Sequence, residues 1–288
     1  MKKLLLWPLL AFGCAAQSQQ NMNDVALTVT PLTEHMHMLE GRGGNIGIFT
    51  GEDGIIIIDS QFAPLSERIQ AEVQKLSDAP INYLVNTHFH GDHTGGNAHF
   101  GSTGVTIVAH DNVRKRLSEN EKTASRTDAF PTITYEQGVQ LHINGQSVII
   151  MHVHNAHTDS DSFIYFPEEN VLHMGDVFFN KRFPYIDLKS GGSIDGYQEA
   201  VKAALMLVNE ETQIIPGHGP LASKADLIAY SEMLSVIDER MRQALQEGKS
   251  LDQIKKEKLV GDLSDWNWGF INEDKIIETF YNGLSAND

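Results

Sequence analysis

The stretch Thr87-His88-Phe89-His90-Gly91-Asp92-His93-Thr94-Gly95-Gly96 constrains this chain more than any other. Four groups able to ligate a metal, His88, His90, Asp92 and His93, fall within six residues. They follow Ile81-Asn82-Tyr83-Leu84-Val85, an apolar, β-prone run that reads as a buried strand. Alternate side chains of a strand share a face, so His88 and His90 point the same way at its end. Gly91 lets the backbone turn and redirects Asp92 and His93 toward a second position nearby, and Thr94-Gly95-Gly96 opens the next helix. Ionisable side chains this dense beside an apolar strand need a partner that compensates their desolvation. Imidazole and carboxylate without thiolate suit zinc first, with iron or manganese as further candidates. The geometry suits two adjacent cations sharing one site.

Strands and helices alternate along the rest of the chain. Residues 25–30, 35–39, 45–50 and 55–58 read as strands, and the last, a run of four isoleucines, ends in Asp59. Leu65, Ile69, Val73 and Leu76 repeat at helical spacing, which predicts an amphipathic helix over 63–77. A strand over 105–109 and a polar helix over 111–126 follow. A second strand-rich block covers 132–135, 140–143, 147–154, 162–166 and 171–174. A helix at 194–208, a strand at 212–215, a long helix from 221 and short helices over 250–288 complete the chain. Strands then helices, twice over, predict an α/β fold of two similar halves, sheet against sheet with helices outside. Trp266, Trp268 and Phe270 in the tail read as core anchors.

Further residues invite chemistry. His152, His154 and His157 compete for a ligand role at the end of one strand. Asp176 closes His173-Met174-Gly175-Asp176, where a carboxylate by itself reads as a cap or turn residue. His218 lies between two glycines in Pro216-Gly217-His218-Gly219-Pro220, well placed to enter a site from a strand end. Residues 177–194 are rich in Phe, Gly and Pro and read as a site rim, where Lys181 and Arg182 meet either a substrate carboxylate or solvent. His35, His37, His99, His110 and His173 read as structural.

At 288 residues and 41% hydrophobic content the chain buries a sizeable core. A formal charge of −16 argues against nucleic acid or an anionic membrane as partner and leaves a small-molecule substrate. Met1-Lys2-Lys3 and the apolar run 4–12 form a secretory signal over 1–16, too short to span a bilayer. Residues 17–24 read as a disordered spacer and 25–288 as one domain. Gly13-Cys14-Ala15-Ala16 suits ordinary signal removal; the minority alternative is a lipid anchor at Cys14, with Ala11 where a lipoprotein box has Leu. Export predicts a periplasmic or secreted protein. Cys14 is the sole cysteine, so the folded part has no disulfide and no thiolate ligand.

His-x-His-x-Asp-His at 88–93, followed by His157, Asp176 and His218 in the same order, resembles the metallo-β-lactamase superfamily over about residues 25–218. The resemblance implies a four-layer αβ/βα sandwich with its metals at one edge between the sheets. Position by position it implies His88, His90 and His157 at a first metal, and Asp92, His93 and His218 at a second. Asp176 would bridge or complete the second. His157 is preferred over His154 because the family's third histidine sits in such a turn, followed by Thr. Asp59 would hydrogen-bond the metal-binding loop in place of capping a helix. The implied chemistry is a metal-bound hydroxide, oriented by Asp92, attacking a carbonyl; zinc can lower the pKa of bound water to about 7. One major lactamase subclass has Cys where this chain has Asp176, and Asp is more typical of glyoxalase II-like hydrolases. The expectation is an exported dinuclear zinc hydrolase with β-lactam as leading substrate. The alternatives are a glyoxalase II-like thioesterase, esterase or lactonase, a mononuclear iron persulfide dioxygenase, and a non-catalytic metal-binding accessory protein.

Overall fold

Ile55–Ile58 shows how the layers arise. All four side chains are fully buried, alternately on opposite faces. Ile56 and Ile58 pack with Phe49, Val85, Ile164, Phe166 and Ile215, whereas Ile55 and Ile57 pack with Leu65, Ile69, Val73 and Phe100. A strand apolar on both faces must be covered on both, and each buried isoleucine contributes about 1.5–3 kcal/mol.

The structure, a computed structural model, describes residues 22–285. The expected export signal, Cys14 and the start of the expected polar spacer lie outside those residues. The first sheet runs in chain order: β1 (Thr28–Pro31), β2 (Met36–Glu40), β3 (Ile46–Phe49), β4 (Ile55–Ile58), β5 (Ile81–Val85), β6 (Thr106–His110) and β7 (Ile133–Tyr135). Pairing is antiparallel through β4 and parallel from there to β7. Helices α1 (Ser66–Gln74), α2 (Gly91–Thr94), α3 (Asn97–Ser102) and α4 (Asp111–Glu119) connect the parallel strands.

The second sheet comprises β8 (Gly138–Ile143), β9 (Gln146–His152), β10 (Ser162–Phe166), β11 (Val171–Phe179) and β12 (Gln213–His218), in the order β12-β11-β10-β9-β8. Strand β12 is an edge, where Pro216 is tolerated without its N–H. Helices α5 (Ile194–Leu207), α6 (Lys224–Gln246), α7 (Leu251–Lys256) and α8 (Glu273–Ser285) follow. Leu172, Met174 and Phe178 of β11 pack outward against Val201, Leu234, Ile237 and Phe280. Two sheets face to face, with a helix layer on each outer side, make the four-layer sandwich. No helix among the described residues is long and apolar enough to cross a membrane.

Four local readings need correction. Strand β11 continues past Met174 to Phe179, so Asp176 lies within a strand, just after Gly175, which has a register shift on either side. Strand β12 likewise runs on to His218. Helix α4 stops at Glu119, because Asn120 is extended and no buried residue follows Leu117 in helical register. Met22–Asp24, assigned to the disordered spacer, is a 3-10 turn held by Arg68, which donates to the carbonyls of Met22 (3.0 Å) and Val25 (2.6 Å).

Candidate metal centre

Strand β5 delivers the ligand turn. Beyond it His90 is extended and Gly91 starts α2, so Asp92 and His93 project from a helical turn and His88 and His90 from the segment before it. Gly175 brings β11 against this turn at φ +52°; a Cβ there would lie 2.7 Å from Thr87. Gly44, in the loop after β2, passes so close to His93 that a Cβ would overlap the ring at 2.1 Å. Only glycine permits either approach.

Seven side chains converge. His88, His90, His157 and Asp176 form one group and Asp92, His93 and His218 another, with ligand atoms inside each group within 4.8 Å of one another. Asp176 stands between them, 3.1 Å from His93 Nε2, 3.4 Å from His218 Nε2, 3.6 Å from His157 Nε2 and 3.8 Å from His88 Nε2. These are the residues the sequence singles out, His157 included. His154 instead packs edge-on to His152 at 4.6 Å, and His152 stacks on His110 at 3.8 Å.

The outer nitrogens of four of the imidazoles are occupied, which leaves their inner nitrogens facing one another. His157 Nδ1 donates to the Tyr185 carbonyl (2.7 Å), His93 Nδ1 to Asp59 Oδ2 (2.7 Å) and His90 Nε2 to Asp187 Oδ2 (3.2 Å). The Thr87 hydroxyl donates to Asp59 Oδ2 (2.7 Å), so it accepts from His88 Nδ1 (3.1 Å). The inner nitrogens then crowd together: His90 Nδ1 is 3.1 Å from His88 Nε2 and 2.9 Å from His157 Nε2. Three lone pairs cannot satisfy one another. In the second group His93 Nε2 and Asp176 Oδ1 are buried without a hydrogen bond of acceptable geometry. Convergent bare donors of this kind fit a cation.

The electrostatics divide the site in two. Burial lowers His157 to about 4 and His88 well below the usual range, so these two rings are neutral. Burial opposes charge on His93 and His218 as well. There the carboxylates prevail, Asp176 and Asp59 lifting His93 well above its usual value, and Asp176 and Asp92 lifting His218 to about 9. Asp176, despite burial, is held well below the carboxylate range by His218 and His93. Without a cation the second group thus favours imidazolium beside carboxylate, and a cation entering it displaces protons.

Asp59 does not cap a helix. Its carboxylate accepts from the Thr87 amide (2.8 Å) and hydroxyl and from His93. His173, fully buried, meets the Asn45 carbonyl and the Gly175 amide. A cavity of about 760 Å³ opens over the metal groups, with His90, Asp92, Asp176 and His218 at its floor. Arg182 lines it, over the Trp268 ring at 5.1 Å. Lys181 does not: at φ +58° it turns toward solvent, where its charge is felt by Asp226. Trp266 packs on Tyr230 as a core anchor does, but Trp268 and Phe270 line the cavity.

Asp187 and Tyr185 escape a sequence reading, because nothing in their spacing ties them to His90 and His157. Asp187→Asn is expected to weaken cation binding at the first group roughly 10–100-fold, the usual cost of losing such a partner, and to leave the second group occupied. Competition with a chromogenic chelator measures this; unchanged affinity would show that Asp187 merely borders the site.

A four-layer αβ/βα sandwich with a histidine–aspartate centre where its sheets meet defines a class of metal-binding proteins. The chain belongs to the metallo-beta-lactamase superfamily, whose family model matches residues 39–218. It is 27% identical to the 2,4-dinitroanisole O-demethylase alpha subunit of Nocardioides sp., over 45% of this chain and 39% of that one. It is 19% identical to metallo-beta-lactamase IND-1 of Chryseobacterium indologenes, over 65% of this chain and 80% of that one. It is 28% identical to a hydroxyacylglutathione hydrolase of Nitrosococcus oceani, over 54% and 55%. The aligned stretch is thus between 39% and 80% of these relatives' own length. Among solved structures, the metallo-beta-lactamase from Pontibacter korlensis shares the fold at TM-score 0.63 and 18% identity, over 73% of this chain and 99% of that one.

Proposed function

We propose that this protein is an exported dinuclear zinc hydrolase that opens a carbonyl substrate, with the β-lactam ring as leading candidate. The observation that carries the reading is the two adjacent groups of convergent ligands at the floor of an open cavity, with His93 Nε2 and Asp176 Oδ1 buried and without a hydrogen bond. Export is supported by the charged and apolar N-terminal sequence alone. His88, His90 and His157 would hold one cation and Asp92, His93 and His218 the other, with Asp176 between. Bound there, zinc supplies an acidified water and a Lewis acid for the carbonyl oxygen.

The chain's own residues supply the rest. Asp92 is ionised, because His93 and His218 outweigh the burial that would raise it, and it faces the cavity. It orients the attacking water and takes its proton. As the water oxygen bonds to the acyl carbon and the bond to the leaving atom breaks, that proton passes to the leaving group. The Arg182 guanidinium stacks over Trp268 at the cavity wall and is offered to a substrate carboxylate.

A thioesterase reading stands second, favoured by Asp176 in place of Cys and by the likeness to a hydroxyacylglutathione hydrolase. The test is metal content of the purified protein with turnover of a chromogenic β-lactam before and after chelation. Two zinc ions and chelator-sensitive ring opening are expected. Two zinc ions with thioester but no lactam turnover would transfer the assignment to the second reading. A single iron would overturn the zinc account.

A further inference from the structure

The family match ends at His218, yet one wall of the cavity comes from the chain beyond it. The turn between the 3-10 segment Gly261–Trp266 and α8 carries Trp268 and Phe270, and it is pinned in place. The indole N–H of Trp268 donates to the Phe183 carbonyl (2.9 Å), and the Phe183 amide donates to the Trp266 carbonyl (2.7 Å). The rings form a continuous surface. Trp268 lies 5.6 Å from Phe270, and Phe270 meets Tyr185 edge-on at 5.3 Å.

This surface abuts the metal ligands at both ends. Trp268 is 6.1 Å from the His218 ring, and Tyr185 is 5.9 Å from His90 and 5.6 Å from His157. Phe270, 49% exposed, leaves a large apolar face open at the mouth. The Lys275 ammonium covers the ring from outside the cavity, 4.9 Å from its centre, and Phe270 lines the cavity beside Trp268 and Tyr185. An exposed aromatic ring beside other rings gains most from another apolar group, and a ring seated there places an attached carbonyl over the ligands.

We propose that the C-terminal turn selects the acyl half of the substrate, and that Trp268, Phe270 and Tyr185 seat an aryl group on the carbonyl side of the scissile bond. The inference rests on the hydrolase reading for its chemistry and on the wall alone for its specificity. Trp268 and Phe270 are specificity determinants; the attacking water and its activation stay with the metal centre.

The experiment pairs binding with turnover on the zinc-loaded full chain. Calorimetry compares phenylacetate with acetate, the carboxylates a hydrolysis would release. Kinetics compare phenylacetyl and acetyl thioesters of N-acetylcysteamine, whose leaving group is constant, by thiol release. Phenylacetate is expected to bind roughly tenfold or more tightly than acetate, and kcat/KM to favour phenylacetyl by a similar factor. Phe270→Ala should shrink both ratios and Trp268→Ala should bring them close to one. Turnover without discrimination, or discrimination that survives both variants, would overturn the wall assignment and spare the hydrolase. Selective phenylacetate binding, lost in the variants, with no thioester turned over would support the wall and count against a thioesterase.

Discussion

Asp176→Ala is expected to cost the proposed dinuclear zinc centre one of its two ions and to cut kcat/KM by roughly a thousandfold, the several kcal/mol that cation stabilisation of a transition state supplies. Asp176 is the carboxylate that reaches both groups, within 3.1–3.8 Å of four imidazole nitrogens. Without it the first group keeps His88, His90 and His157, a sufficient ligand set. The second keeps His93, His218 and the partly exposed Asp92, and no carboxylate then stands between the two groups. Metal analysis after dialysis, with turnover at saturating zinc, reads both effects. Asp176→Glu guards against a folding artefact, since it keeps the charge and displaces it. An alanine variant that holds two zinc ions and turns over normally would remove Asp176 from the centre.

How far a sequence discloses such a site depends on how its parts are brought together. His88, His90, Asp92 and His93 are legible because one strand end and one turn place them, and the spacing itself is the geometry. His218 is legible for a related reason, a lone histidine between glycines where an apolar strand runs out. Asp176 is harder. Gly175 looks like a strand terminus but is a kink inside a strand, at φ +52° with register shifts on both sides. Lys181 and Arg182 are adjacent and chemically alike. Only the left-handed backbone at Lys181 sends one outward while Arg182 stays on the cavity.

The aromatic wall lay beyond sequence reasoning for a different cause. Trp268 meets His218, Phe179 and Arg182 through packing of the tail on the second sheet, and no local period encodes it. Apolar residues in a tail are more often core, as Trp266 is, and composition cannot separate the two. The layers were easier. Consecutive isoleucines at 55–58 demand cover on both faces, whatever elements supply it.

Asp59→Asn is expected to lower cation affinity at the second group about 10–100-fold and to destabilise the fold by about 1–3 kcal/mol, the cost of a buried group left unmatched. The substitution isolates hydrogen bonding. Residue 59 has φ +66°, a left-handed conformation that Asn adopts readily, so the backbone brings no penalty. The carboxylate accepts three bonds, one at Oδ1 from the Thr87 amide and two at Oδ2 from the Thr87 hydroxyl and His93. An amide offers one acceptor oxygen. If its NH2 faces the Thr87 amide, two donors meet in a buried site. If it faces the other way, it donates toward His93 Nδ1, and the ring must carry its proton on Nε2, the nitrogen aimed at Asp176. The second outcome removes a ligand lone pair while leaving every ligand in place. Urea denaturation gives the stability change and zinc competition the affinity. A variant with the wild-type affinity for both ions would show that the His93 tautomer is set by something other than Asp59.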